Sequence, residues 1–537
     1  MININRFFFG ILNHLRKIYY SSNFYNNRIS KIDNREITYK PSPYLLSSLI
    51  KYQKKKFKIE EFSLNEIWEK NNLSLKEYKN LHNFYWFFSL DLKSSKFTTQ
   101  NIISKWIKNN EKYNLKSWEF DLTAKRIIAW LSCYNLSYDD SSEDYKKKFN
   151  FIIQKQTNHL INEINNSNQI DDKLIGCASI ILVGLCYKNE KNYLSFGSLL
   201  LKKISKIALD NYGFPKSRNI KQLIFFLKYF VLIREWFKES RISIPEHIDE
   251  TIFYLGQGYA FFEQSITKEF LYNGNNISNN DDFTNYLNRL GYKFKNNEYE
   301  CGGYIKLQNK KICLTVDAGS SPNMKYSKNY QSGALSFEII SNGNKLVSNC
   351  GYHKINNAKL NQLSKSSATH NTLVIDDTSS CNFIYQDNFW IIKKGLKVYR
   401  KDIIFNKNYW KVHASHDGYL KKYNSIHERE IEFIPNEMKF IGLDRIIKKK
   451  NNNNYKFDIR FHVEPNVKLM KTQDNKTILI ELNDEGWKFT CDNYDINIEN
   501  GLYFGNKNSF TENQNFFISG ISSYQIENIK WEIRKLK

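Results

Sequence analysis

The chain has 537 residues, more than one hydrophobic core usually serves, so two or more domains are expected. Its apolar fraction is 41%, with 38 Phe and 35 Tyr against only 7 Pro and 22 Gly, which excludes a linker-dominated or disordered chain. The formal net charge of +24 excludes an acidic, solvating protein and leaves two readings open: an anionic polymer or surface as partner, or the Lys, Asn, Ile and Tyr abundance of AT-rich codons.

The N-terminus, MININRFFFGILNHLRKIYY, has an apolar core from Phe7 to Leu12 only, followed by more bases. That run is too short for a secretory signal and reads as a basic helix able to touch a membrane. No run approaches the length needed to span a bilayer, so no transmembrane helix is expected. Residues 1–60 are set apart as an N-terminal basic segment; short lysine runs occur at 54–56, 146–148 and 448–450.

From residue 61 to 272 apolar residues recur at helical spacing. The runs 123–136, 148–164, 173–188, 195–209 and 220–237 read as successive helices, several apolar nearly all round, as inner helices of a large array are. The segment NYGFPKSRN (211–219), with Gly213 and Pro215, reads as a loop. The polar stretch 273–296 reads as a linker. From 297 to 537 the pattern changes to short alternating runs, among them KICLTVDAG, ALSFEIISNG, NTLVIDD, WKVHASHDG, FDIRFHVEPN, KTILIELND and FFISGISSYQI, separated by turn signals. That is the pattern of an all-β sandwich. The fold class is therefore α+β multidomain. The eight cysteines form no C-x-x-C pair and sit beside apolar residues, as buried thiols do.

The run 317–377, which contains DAGSSP, ALSFEII, SNCGYH and SATHNTLVIDD, resembles the central part of the heparinase II/III-like polysaccharide lyases. HASHDGY (413–419) followed by HERE (427–430) resembles a second shared segment. WEFDLTAKRIIAW (118–130), QTNHL (156–160) and DNYGFPKSRN (210–219) are similar to the helical domain of that family. The resemblance implies an N-terminal incomplete (α/α) toroid followed by a C-terminal antiparallel β-sandwich, with an acidic polysaccharide held in the groove between them. It also implies cleavage by β-elimination, a cell-envelope or periplasmic location, and no cofactor. The first 20 residues leave a cytoplasmic location open.

Eliminating across a uronate requires neutralising its carboxylate, removing the C5 proton and protonating the leaving oxygen. By resemblance, His370, Tyr212 and His159 are the candidates for proton transfer. Asn158, Arg218, Asn371, Gln331, Tyr352, His416 and Arg429 are the candidates for binding substrate. Each has a structural alternative. His370 and Asn371 can close a turn at a strand start; Asn158 and His159 can line a helix face; Arg218 can form an ion pair; Tyr352 and His416 can pack. His427 and Arg429 can form a cross-strand ladder with their neighbours.

Relatives place imidazole and carboxylate ligands of a structural zinc near this region, where the chain has Gln331 and Asn349, leaving only His370. No metal is expected. That departure keeps a second reading open, a relative that binds glycan without cleaving it. Nucleic acid is not an expected partner, because neither a basic recognition helix nor an aromatic-basic sheet pattern is present.

Overall fold

A computed structural model describes residues 2–32, 36–50, 68, 73–90, 96–167, 169–187, 191–263, 269–276, 281–354, 357–449, 453–506 and 509–536. The lysine run at 54–56 lies outside the described residues. The chain divides into two compact units. One comprises Met1–Ala208, Phe225–Phe253 and Asn280–Lys293; the other comprises Leu209–Ile224, Tyr254–Asn279 and Phe294–Lys537.

The first unit is helical. Helices Phe120–Ser132, Glu143–Glu163, Ile170–Cys186 and Lys191–Ala208 fall where the apolar period places them. Ser142 caps Glu143–Glu163 by accepting from the Tyr145 amide at 3.3 Å, and Glu143 and Asp144 complement the helix dipole in the first turn. Ile170–Cys186 is buried continuously from Leu174 to Cys186. It packs closely enough on Lys191–Ala208 that a Cβ at Gly184 would lie 2.6 Å from the Leu194 backbone nitrogen. Only glycine fits there. The N-terminal segment contributes helices Ile2–Tyr20 and Asn23–Ile29 to this unit, the second burying Tyr25 and Ile29.

The second unit is built from antiparallel sheets. A five-stranded sheet runs from Glu300–Cys301 through Tyr304–Gln308, Ile312–Asp317 and Phe337–Ser341 to Asn344–Val347. An eight-stranded sheet centres on Ser425–Ile434, Lys439–Lys448 and Ile526–Lys535. A four-stranded sheet pairs Leu373–Ile375 with Tyr455–His462, so that Leu373 faces Ile459. Their inward residues share one core, in which Phe337 stacks on Trp531 at 5.4 Å and Phe461 on Phe516 at 5.1 Å. Helices in the N-terminal half and antiparallel sheets in the C-terminal half are the architecture the sequence predicts. The eight cysteines are free thiols, all but Cys301 buried.

The expected boundaries need correction. Residues 273–276 are a buried part of the sheet unit, because their asparagines bond to it. Asn273 Nδ2 donates to Tyr304 Oη at 2.6 Å and Asp317 Oδ2 at 3.1 Å, and Asn276 Nδ2 to the Tyr352 carbonyl at 2.7 Å. Just upstream, the Leu271 amide donates to Glu338 and Tyr272 Oη to the Thr315 carbonyl. The rest of the expected linker holds helix Asp281–Arg289 of the helical unit. A run rich in Asn reads as a loop by composition, yet here its amides serve as buried cross-links.

Candidate functional site

In the helical unit, Glu143–Glu163 carries Asn158 and His159 on adjacent positions, and both meet the N-terminal segment. Asn158 Nδ2 donates to the Ile29 carbonyl at 2.9 Å, and its Oδ1 accepts from Tyr193 Oη at 2.7 Å. His159 Nδ1 lies 2.7 Å from Tyr25 Oη. Its ring is met edge-on by Tyr20, Tyr25 and Trp118. Burial pushes the His159 imidazole down to about 3, so it is neutral at pH 7 and enclosed. It holds the N-terminal helices in place, which corrects its expected catalytic role.

Asn158 differs from His159 in being only half-buried. It opens into a pocket of about 380 Å³ lined also by Lys31, Ile32, Ile161, Asn192, Tyr193 and Phe196. An exposed lysine, two amides and two aromatic rings are a set that suits a sugar bearing a negative charge. Lys31 and Tyr193 had no distinguishing signal in the sequence, because each is one of many residues of its type.

The loop 209–219 is shaped by Asp210, whose Oδ1 accepts from the amides of Tyr212 and Phe214, both at 2.9 Å. Gly213 takes the positive φ of +74° that the turn requires. Tyr212 stands 83% exposed, the one proton-transfer candidate that solvent reaches. Arg218 is turned inward with a φ of +59°. Its guanidinium donates to the carbonyls of Gly302, Gly303 and Gly319 and to Asp317 Oδ1 at 2.6 Å, while stacking 4.6 Å from the Tyr304 ring. Every face of the fork has a protein partner. Arg218 is a buried lock, not a clamp on a substrate carboxylate.

Of the remaining candidates, Asn371, Arg429 and His416 belong to one polar network inside the sheet unit. Asn371 Nδ2 donates to the Phe337 carbonyl at 2.8 Å, and its Oδ1 accepts from the His462 amide at 2.6 Å. Arg429 bridges to the same strand start through the Asn371 carbonyl and grips Asp444 through Nε at 2.7 Å and Nη2 at 3.1 Å. His416 Nε2 faces His427 Nδ1 at 3.2 Å, and His427 Nε2 reaches Asp444 at 2.7 Å. Although burial works the other way, Arg429 and His427 hold the Asp444 carboxyl well below the usual carboxylate range. His427 and Arg429 thus meet in a buried chain rather than a surface ladder, as a cross-strand face predicts only in part. Tyr352 is buried, its carbonyl accepting from Asn276 Nδ2 and its amide donating to Asn276 Oδ1.

His370 begins the strand from inside. Its Nδ1 lies 2.8 Å from the Ser366 carbonyl, and its ring packs on Gly333, where a Cβ would come within 2.5 Å of Cδ2. Nε2 has no hydrogen-bond partner among the described residues. Burial pushes this imidazole down to about 4. A neutral ring sealed in this way does not reach a polymer, which corrects the expectation for His370, and equally for Asn371, His416 and Arg429.

Gln331 is wholly buried. Its Oε1 accepts from the Gly274 amide at 2.9 Å, and Nε2 donates to the carbonyls of Gly351 at 2.9 Å and Ser364 at 2.6 Å. Asn349 Oδ1 accepts from the Asn371 amide at 3.0 Å. Amides engaged in this way do not fit a cation, and no group of three His, Cys, Asp or Glu is gathered to hold one among the described residues.

Lys365 was not anticipated. It lies five residues before His370, where a solvated lysine is the ordinary reading, yet it is buried. Its Nζ donates to the carbonyls of Lys328 at 2.7 Å and Tyr330 at 3.1 Å. Burial, aided by the Lys328 charge, pushes this ammonium down to about 7.

Residues 295–532 match the family profile of the heparinase II/III-like C-terminal domain. Among solved structures, the chain is similar to heparan sulfate lyase HepC from Pedobacter heparinus, with a TM-score of 0.66 at 13% identity over 87% of this chain and 78% of that one. It is similar to a heparinase III gene product with a TM-score of 0.67 at 14% identity, covering 87% and 80% of the two chains. A further heparinase III structure gives 0.66 at 14%, over 87% and 79%. No curated protein matches the chain in sequence. The fold is that of these lyases.

Proposed function

We propose that this chain, whose residues 295–532 form a heparinase II/III-like C-terminal domain, is a polysaccharide lyase-like protein that cleaves an acidic, uronic-acid polysaccharide by β-elimination. The observation that carries the reading is the fold, shared over 87% of the chain with structures named as lyases of heparan sulfate. The +24 charge and the Lys31–Asn158–Tyr193 pocket support the acidic substrate. In that pocket the Lys31 ammonium and the Asn158 amide, which has a second N–H beyond the one given to Ile29, can neutralise a uronate carboxylate. Neutralisation is the step that acidifies the C5 proton. In the sheet unit, Tyr212 is the exposed phenol among the proton-transfer candidates.

A second reading, glycan binding without cleavage, is favoured by one specific observation. His370, His159, Arg218 and Gln331 are all committed to holding the protein's own backbone or side chains. The experiment that separates the two is incubation of the pure protein with a panel of uronic-acid polymers, following the ultraviolet absorbance of the unsaturated product. A rise that is lost in Tyr212→Phe supports cleavage. Binding by calorimetry with a flat absorbance trace, weakened in Lys31→Gln, supports the second reading. Neither binding nor absorbance with any polymer refutes both.

A further inference from the structure

The first 32 residues contain Arg6, Arg16, Lys17, Arg28 and Lys31 and not one Asp or Glu. Within the helical unit this segment is tied down at one end. Tyr20 is buried and donates to Glu163 Oε2 at 2.5 Å, and its ring lies 4.5 Å from that of Tyr25. Ser22 caps the next helix by accepting from the Tyr25 amide at 3.1 Å. The tie uses Tyr20, Tyr25 and Ile29 and leaves another face of residues 11–18 outside.

That outer face is apolar. Ile11, Leu15 and Ile18, spaced four and three residues apart and hence along one stripe, are 41%, 55% and 57% exposed. Leu12 beside them is also exposed, and Phe24 of the next helix, whose ring lies 6.4 Å from that of Tyr19, stands 72% exposed. Such a stripe ordinarily faces a core. Here it faces solvent, with Lys17 and Arg28 exposed nearby. The stretch between Arg6 and Arg16 is too short to span a bilayer, and among the described residues no helix is long and apolar enough to cross one. A helix of this kind lies in an interface instead of crossing it.

We propose that helix Ile2–Tyr20 docks flat on an anionic lipid surface. Ile11, Leu15, Ile18 and Phe24 enter the acyl boundary, while Arg16, Lys17 and Arg28 meet headgroup phosphates. Charge complementarity selects this occupant. Five cations without an acid match an acidic leaflet, whereas a second copy of the chain would set the same cations against one another. The inference does not depend on whether the chain cleaves polysaccharide.

The test is sedimentation of the full chain with vesicles of phosphatidylcholine alone and of phosphatidylcholine mixed with phosphatidylglycerol. The protein is expected to pellet with the mixed vesicles. Leu15→Asp with Ile18→Asp should lower the bound fraction about tenfold or more, and Arg16→Gln with Lys17→Gln should weaken binding and flatten its salt dependence. Circular dichroism should be unchanged in the first pair, whose side chains are exposed; should it change, Phe24→Ser carries the same expectation. The proposal is overturned if wild type ignores both vesicles, or if the variants bind as wild type does. It is also overturned if Leu15→Asp with Ile18→Asp instead abolishes a concentration-dependent dimer, which would make a second copy the occupant.

Discussion

Asn371→Ala distinguishes a strut from a substrate ligand. The side chain donates to the Phe337 carbonyl at 2.8 Å and accepts from the His462 amide at 2.6 Å, and it is wholly buried. Alanine leaves both backbone groups unpaired where no solvent reaches. Each such orphan costs about 1–3 kcal/mol, so the loss is on the order of 4 kcal/mol. For a unit of this size, at about 2.1 cal/mol/K per residue, that corresponds to a fall in Tm of roughly 7 °C. The measurement is thermal unfolding of the full chain, followed by near-ultraviolet circular dichroism, which reports the buried tryptophans of both units. Affinity for a bound polymer, measured well below the variant's Tm, should stay close to wild type. A variant that melts with wild type but loses polymer affinity would refute the reasoning and return Asn371 to the substrate.

Arg218→Lys should destabilise the sheet unit by about 3 kcal/mol, because one ammonium cannot serve three glycine carbonyls and Asp317 at once; urea unfolding with no shift in midpoint would contradict this. Acid should unfold the protein early. Burial holds His370 at about 4 and His462 and His159 at about 3, below the unfolded value near 6.5. Groups depressed in the fold stabilise it fully above the unfolded value and lose that contribution as pH falls through the window from about 6.5 to 3–4. At pH 5 each costs about 2 kcal/mol, so the sheet unit, with two of them, loses about 4 kcal/mol, a large part of a typical domain's stability. Denaturant midpoints measured between pH 7.5 and 5 should drop steeply, and His370→Gln should flatten the slope; a level profile would show that these rings reach water.

The helices were legible because their cores are continuous. In Ile170–Cys186 every residue from Leu174 on is buried, and no other element accommodates thirteen such residues in a row. Strands with one buried face, such as Trp410–His416, announced themselves by alternation. Val398–Phe405 did not, because both its faces are largely exposed and nothing in VYRKDIIF alternates. The hairpin Asn382–Gln386 with Phe389–Lys394 also escaped, because its residues are mostly half-buried without a clean alternation.

The site residues were legible as polar positions within apolar surroundings, but not by the direction in which they face. An imidazole and a carboxamide at a strand start look the same whether they meet a sugar or a carbonyl. What decides is a partner far off in sequence: Phe337 and His462 for Asn371, Gly274 and Ser364 for Gln331, Asp317 for Arg218. The same logic links the two ends of the helical unit. The sequence points to Asn158 and His159 for chemistry and to the first 60 residues as a separate basic segment, yet each explains the other. The pair holds Ile29 and Tyr25, and holding them leaves the stripe of Ile11, Leu15 and Ile18 outside. A segment anchored through Tyr20, Tyr25 and Ile29 presents its other face, so His159, which leaves the catalytic account, is the residue that braces the proposed docking surface.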